Sequence, residues 1–430
     1  MALCAMMGTA TLTSCEGTLD DVFGEWSRPT NTESNSKEKT PSTIEETPLT
    51  LEAVEAGTIK VIYQGDLKIA KPITYTKNGV STSITGSTDI TVAAGDIVSL
   101  SSENSSVNDD ATGWLNISAD HKIYVYGNVM SLINDEGDFS KDKTISEEYA
   151  LAGLFDSNAN LYNHPEKKLL LPATTLAKSC YSDMFANCTS LTTAPELPAT
   201  TLADGCYGFI FFGCTSLTTA PELPATTLAE DCYAYMFYSC TGLKNAPELP
   251  ATTLAEYCYS GMFLGCTSLT TAPELPATTL AEYCYYDMFY GCTGLTTAPE
   301  LPATTLADYC YSEMFCYCTG ITTAPALPAT TLAAHCYEFM FVNCTSLETA
   351  PVLPATTLAD KCYMQMFTNC EKLSSVSCKA TSGMNSTNLE NWLEGAGTYA
   401  TSPTLHVTTG YDTADWALPT VPTWTVAADL

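Results

Sequence analysis

The sequence predicts an α/β solenoid of stacked 26-residue units, each with one short parallel strand and one short helix, preceded by a small β-sandwich-like module. Three observations predict it. The segment LPATTLA begins at Leu171, Leu197, Leu223, Leu249, Leu275, Leu301, Leu327 and Leu353, an unbroken spacing of 26 residues, and such a period marks a solenoid. Inside each unit the apolar positions fall on one helix face. Upstream, short alternating runs between turn residues read as strands. With 430 residues, 45% of them apolar and only 15% charged, the chain is large enough to bury a core and too apolar to be disordered.

The first fifteen residues, MALCAMMGTATLTSC, resemble the end of a signal peptide without its basic leader, as a truncated start would. Residues 1–14 are read as that remnant. Leu12-Thr13-Ser14-Cys15 resembles a bacterial lipobox, which implies cleavage before Cys15 and lipidation of its thiol. Glu16 and Asp20-Asp21 resemble the acidic export signal of Bacteroides-type surface lipoproteins. The alternative is an ordinary cysteine. Residues 15–50 then form the lipidated terminus and a tether, because 28–50 hold almost nothing to bury.

Residues 51–145 are assigned to the β module. The runs Ile59–Tyr63, Ile73–Tyr75, Ile90–Val92, Ile97–Leu100 and Ile123–Tyr126 are its strands, and Asn78-Gly79 sets a tight hairpin because both residues accept positive φ. Asp109-Asp110 and Asp135-Glu136-Gly137-Asp138 carry oxygens suited to calcium, but acidic turns are usually just solvated.

Residues 146–170 read as a degenerate first unit that caps the array, with Leu154-Phe155, Asn158 and Leu161 in the places of Met184-Phe185, Cys188 and Leu191. Eight full units follow over 171–378. Leu176, Ala177, Cys180, Tyr181, Met184 and Phe185 lie at i, i+1, i+4, i+5, i+8 and i+9, which predicts a helix of about three turns. Thr175 starts it, with capping boxes at Thr227/Glu230, Thr253/Glu256 and Thr279/Glu282. Asn187, Gly213, Gly265, Gly291, Asn343 and Asn369 end it, being residue types that accept the left-handed conformation. Leu191–Leu197 and its equivalents are too short for a second helix and are expected to form a short strand, each proline removing one ladder donor. Residues 379–430, with Trp392, Trp416 and Trp424, are expected to close the far end.

The order Met-Phe-x-x-Cys-x-x-Leu resembles the repeat of BspA-type leucine-rich-repeat surface lipoproteins of Bacteroides-like bacteria, over roughly residues 150 to 380. The resemblance implies a leucine-rich-repeat solenoid, a non-enzymatic adhesin and, as partners, host matrix proteins or other cells. The 26-residue unit is slightly longer than is usual for that family. Its extra residue is placed at Pro195-Glu196, which leaves the strand register open.

Composition and spacing narrow the function further. The 48 acidic against 17 basic residues, net charge −31, argue against nucleic acid as a partner. Sixteen cysteines form two columns, Cys180 to Cys362 and Cys188 to Cys370. Parallel side-chain vectors favour buried thiols over disulfides. His121, His164, His335 and His406 are scattered and no CxxC occurs, so no metal, cofactor or catalytic residues are assigned. Two surfaces are candidates for binding. One is the outer face with Phe209, Phe212, Tyr235, Tyr238, Tyr257, Tyr283, Tyr286, Tyr290, Tyr309, Tyr317 and Phe339; these aromatics either recognise protein or glycan or merely cover their neighbours. The other is the column Glu196, Glu222, Glu248, Glu274 and Glu300, either a hydrated edge that discourages aggregation or a site for a cationic partner. The expectation is a monomeric outer-membrane lipoprotein on the cell surface, anchored by lipid, that binds host or bacterial surface proteins multivalently. The alternative is a glycan-capturing lipoprotein whose β module binds and whose repeats are a spacer. A weaker third reading, an envelope hydrolase, lacks a visible active site. Asp412-Thr413-Ala414 resembles a short O-glycosylation motif.

Overall fold

A computed structural model describes residues 43–108, 113–135, 137–410, 416, 418–419 and 423–430. Cys15, the lipobox, Asp109-Asp110, Glu136 and Asp412-Thr413-Ala414 lie outside the described residues.

The amino-terminal module has eight strands: β1 (Leu49–Ala53), β2 (Gly57–Tyr63), β3 (Ile73–Lys77), β4 (Val80–Ile84), β5 (Thr88–Val92), β6 (Ile97–Ser102), β7 (Leu115–Ala119) and β8 (Ile123–Asn128). One sheet runs β8-β1-β6-β3-β4 and the other β5-β2-β7. Alternating residues such as Ile59 and Val61 from one sheet and Leu51, Val98 and Leu100 from the other are buried, the pattern of two facing sheets. The Asn78-Gly79 hairpin is present, with φ of 48° and 84° and Lys77 opposite Val80. The module begins at Leu49, inside the stretch read as tether, since Leu49 and Thr50 are buried in β1. Asp138 is engaged by Ser140 and by Lys141, whose Nζ lies 2.7 Å away, as in an ordinary solvated turn.

The repeats differ from the sequence expectation where a helix was placed. No helix forms between Thr175 and Asn187 or in its equivalents; the segment is a succession of four-residue turns. Positive φ recurs at Ser179, Asp183 and Asn187, then at Gly205, Phe209 and Gly213, and so on through Lys361, Gln365 and Asn369. Alternate amides close turns, as Ser182 N–H to Ser179 O and Met184 N–H to Tyr181 O. The amides between them donate to the next coil: Ser179 to Asp204, Tyr181 to Cys206, Asp183 to Gly208, Phe185 to Ile210 and Asn187 to Phe212. The apolar doublets Cys180-Tyr181 and Met184-Phe185 repeat every four residues. A helix would rotate each doublet by about 40° from the last, whereas a four-residue turn keeps them all facing the core. An α-helix would also use its amides internally and leave none to join coils. The capping boxes are therefore not formed; Thr227 bridges Thr253 and Thr279 bridges Thr305 instead.

The strand of each unit is equally reduced. Across most of the array only single-residue parallel bridges occur, such as Thr193 with Thr219 and Thr323 with Thr349. Two prolines flank the leucine that opens each unit after the first, as Pro195 and Pro198 flank Leu197, and remove ladder donors. Continuous strands appear where the partner segment lacks them: β9 (Leu161–Asn163) and β10 (Leu169–Leu170) pair with β8, and β11 (Val352–Leu353), β12 (Ser375–Cys378), β13 (Thr404–Val407) and β14 (Thr425–Ala428) form a parallel sheet at the far end.

The core is a set of columns. Tyr181 to Tyr363 and Phe185 to Phe367 are buried and stacked, the phenylalanine rings 5.6–5.8 Å apart. In the second cysteine column each Sγ–H donates to a phenylalanine carbonyl of the preceding coil, as Cys266 to Phe237 O at 3.1 Å. All eighteen described cysteines are free and buried. In the degenerate unit Asn158 takes this place and donates to Ile117 O of the β module. That unit makes the same inter-coil bonds as a full one, from Tyr149 to Ser157. At the other end Trp392 continues the phenylalanine column and donates its indole N–H to Trp416 O at 3.0 Å, so the described residues after 378 contribute further coils.

Candidate functional site

The eight units are near-copies, and their differences are concentrated. Between the alanine of LPATTLA and the second cysteine, six positions vary repeatedly, represented by Lys178, Ser179, Ser182, Asp183, Ala186 and Asn187 in the first unit, while the buried Met184 column changes only once, to Ile210. The doublets between them point inward, so these six columns form the outer, turn-bearing face.

The aromatics expected to be exposed lie on this face, but they meet one another. Tyr257, Tyr283, Tyr309 and His335 form one ladder, with ring centroids 4.6, 4.5 and 4.1 Å apart in turn and near-parallel planes. Phe209 stacks on Tyr235 at 4.9 Å, and Phe212 meets Tyr238 edge-on at 4.9 Å. Tyr286 sits edge-on to Tyr283, and Tyr290 lies 5.4 Å from Tyr317. Only Phe209 (36%) and Tyr317 (45%) are exposed; the others, Phe339 included, are half-buried. Stacking covers the ring faces, so this surface presents ring edges and phenolic hydroxyls.

Within this face lies a constellation that occurs once. Asp287 and Glu313 occupy the same column on adjacent coils, and Tyr286 Oη donates to Glu313 Oε1 at 3.2 Å. Both carboxylates are half-buried, and neither forms an ion pair among the described residues. Asp287 Oδ1 is buried with no hydrogen-bond partner. Burial, and then the charge of Glu313, push the Asp287 carboxyl up to about 7; burial likewise raises that of Glu313. One coil further, Glu338 is held by His335 at 2.6 Å. Sequence reading named Tyr235 and Tyr286 but passed over these acids. Their signal was two carboxylates 26 residues apart in one column, which is legible only once that column is known to face outward.

The glutamate column Glu196, Glu222, Glu248, Glu274 and Glu300 is exposed on the proline-bearing edge, because the extended chain alternates buried Leu197 with exposed Glu196 and Pro198. Lys168 pairs with Glu196 at 2.8 Å, and the remaining four have no ion-pair partner among the described residues. Among the described residues no three metal-ligating side chains converge, and no helix is long and apolar enough to cross a membrane.

A family model described as the BspA type leucine rich repeat region, in six copies, matches residues 162–296 and 288–391. The chain belongs to the BspA-type leucine-rich-repeat family. No curated protein and no solved structure matches it. The repeated order Met-Phe-x-x-Cys-x-x-Leu of this chain maps entirely onto the buried columns of Met184, Phe185, Cys188 and Leu191. The motif thus belongs to the buried scaffold, and the six repeatedly varying columns lie outside it.

Proposed function

We propose that this BspA-type protein is a non-enzymatic, lipid-anchored surface protein whose array binds proteins of a host matrix or of other cells. The observation that carries this reading is the concentration of inter-unit variation on one outward face, on coils otherwise locked by repeated hydrogen bonds. A rigid periodic frame holds many weak contacts in register, and linked weak contacts multiply into useful affinity. Tyrosine and phenylalanine supply contact area at low entropic cost. Display at the outer membrane through a lipid on Cys15 belongs to the same proposal, and palmitate labelling that is lost in Cys15→Ala would support it.

The test is a screen of residues 29–430 against immobilised matrix proteins and a glycan array. Under this reading a protein ligand is found, and joint substitution of Tyr235, Tyr238, Tyr286 and Tyr290 by alanine weakens it at least tenfold with the fold intact by circular dichroism. Unchanged affinity in that variant removes the turn face from the proposal.

One observation favours a second reading, glycan capture at the amino-terminal end. Trp114 is 48% exposed beside a cleft lined by Asn108, Tyr149, Gly153, Asp156 and Asp183, where the β module meets the first coils. An exposed indole next to carboxylates suits a sugar ring. Glycan hits lost in Trp114→Ala, with protein hits absent, would establish this reading and reduce the array to a spacer.

A further inference from the structure

The turn-bearing face is not filled by aromatic rings along its whole length. We infer that over the first three full units it forms a trough, entered from the Trp114 cleft, that binds an extended, uncharged, β-1,4-linked hexose chain. The inference deepens the glycan reading of that cleft and rests on it only for the class of ligand.

The trough arises from a change in two columns. Tyr149 of the degenerate coil and Ser179, Gly205 and Asp231 of the next three share the column that Tyr257, Tyr283, Tyr309 and His335 fill in later units. The adjoining column reads Ser182, Gly208, Ala234 and Ser260 before Tyr286 stands in it. Shorter side chains thus replace the stacked rings, and a cavity of about 430 Å³ opens between Tyr149, Phe209 and Tyr235. The Trp114 cleft, about 260 Å³, shares Tyr149 with it. Trp114 is stacked on no ring or cation among the described residues, so its indole face is free, unlike the rings of the later ladder. The polarised C–H bonds on a sugar face are attracted to such a ring. Coils joined by parallel bridges, as Thr144 to Thr175 and Thr193 to Thr219, step by about 4.8 Å. That is nearly the length of one hexose in an extended β-1,4-linked chain, so successive sugars meet successive coils in register. Asp204, Glu230 and Asp231 line the trough, and Asp156 and Asp183 the cleft; Lys178 is the one cation lining either. Carboxylates accept strongly from sugar hydroxyls. Burial, then the charges of Glu230, Glu256 and Asp204, raise the Asp231 carboxyl, and this negative field turns away uronic acids and sulfated chains.

The decisive variant is Gly205→Tyr, which extends the later ladder into the trough. Gly205 has φ of 59°, and Tyr257, Tyr283 and Tyr309 hold 53–57° in the same column, so the backbone already suits a tyrosine. A Cβ there meets the Ser179 Oγ at 2.8 Å, and that hydroxyl can turn away. The experiment titrates residues 29–430 with cellohexaose and with mannohexaose, both β-1,4-linked, by isothermal calorimetry. At least one is expected to bind, at least tenfold more tightly than its disaccharide. Its affinity should fall at least tenfold in Gly205→Tyr, in Phe209→Ala and in Trp114→Ala, each with the parent's circular dichroism spectrum. Hexamannuronate, which differs from mannohexaose by a carboxylate on every sugar, and maltohexaose, whose α-1,4 links wind the chain into a helix, should both bind at least tenfold more weakly. Tyr399→Ala, at a ring 71% exposed near the far end, should leave binding unchanged. No binding of either β-1,4-linked hexaose, equal binding of the disaccharide, of hexamannuronate or of maltohexaose, or full affinity in Gly205→Tyr would each overturn the trough. Glycan binding lost in Trp114→Ala but intact in Gly205→Tyr keeps the cleft reading and fails the trough. Hexaose binding lost in Gly205→Tyr and Phe209→Ala but intact in Trp114→Ala does the reverse.

Discussion

At the scale of single residues, the cysteine of the second column acts as a hydrogen-bond donor before it acts as a thiol. Cys266 satisfies the Phe237 carbonyl inside the core, where an unpaired acceptor is expensive. Cys266→Ala is expected to cost about 2 kcal/mol and Cys266→Ser less, read from urea midpoints. Burial pushes these thiols up, to about 12 for Cys292, so a thiol reagent at pH 8 should leave them unmodified until denaturant is added. Asp287 obeys the opposite logic. In the native protein it holds its proton up to about pH 7, whereas in the unfolded chain an aspartate releases it near pH ~4. The native state binds more protons between those values, so stability falls as pH rises through them. Asp287→Asn should therefore be more stable than the parent at pH 8 and no more stable at pH 4, as paired melts would show.

At the scale of the element, the repeat shows why an amphipathic pattern is ambiguous. Positions i, i+1, i+4, i+5, i+8 and i+9 fit a helix and equally a chain of four-residue turns. Asparagine and glycine at the Asn187 column were correctly read as left-handed, but the same conformation occurs at two further columns. There tyrosines and phenylalanines stand among the glycines and disguise it. Stacked rings and inter-coil bonds hold Tyr257, Tyr283 and Tyr309 in a conformation that costs an isolated residue about 1–2 kcal/mol. Gly291 has φ of 70°, and a Cβ there would meet only the Gly265 backbone at an ordinary contact distance of 3.8 Å, so Gly291→Ala should cost about 1 kcal/mol from backbone conformation alone, and Gly291→Asn less, in chemical denaturation. The strands were legible as positions but not as ladders. Pro195, Pro198 and their equivalents interrupt the bonding that Leu169–Leu170 and Ser375–Cys378 are free to complete.

At the scale of the whole molecule, the β module and the array share one sheet. Strand β8 pairs with β1 on one side and with β9 and β10 of the first coils on the other. Asn116, Asn158 and Asn160 add side-chain bonds across the same junction. The module is thus the amino-terminal cap of the solenoid. Removing residues 51–150, the obvious way to assign binding to one part, would expose the edge of the degenerate coil that the module now covers. Such a truncation is expected to self-associate, seen as a concentration-dependent mass in light scattering, whereas Trp114→Ala in residues 29–430 should keep the mass of its parent.

Read alone, the sequence determined the unit length, the columns that make the core, the strand-rich module before them and the membership of the array in its family. Each of these is written in spacing, and spacing survives in one dimension. Tertiary structure decided what the spacing left degenerate: turns in place of helices, because only stacked coils can accept the amides a helix would spend on itself; bridges in place of strands, because proline denies the ladder its donors; and the pairing of Asp287 with Glu313, because two residues 26 apart become neighbours only when one coil lies on the next.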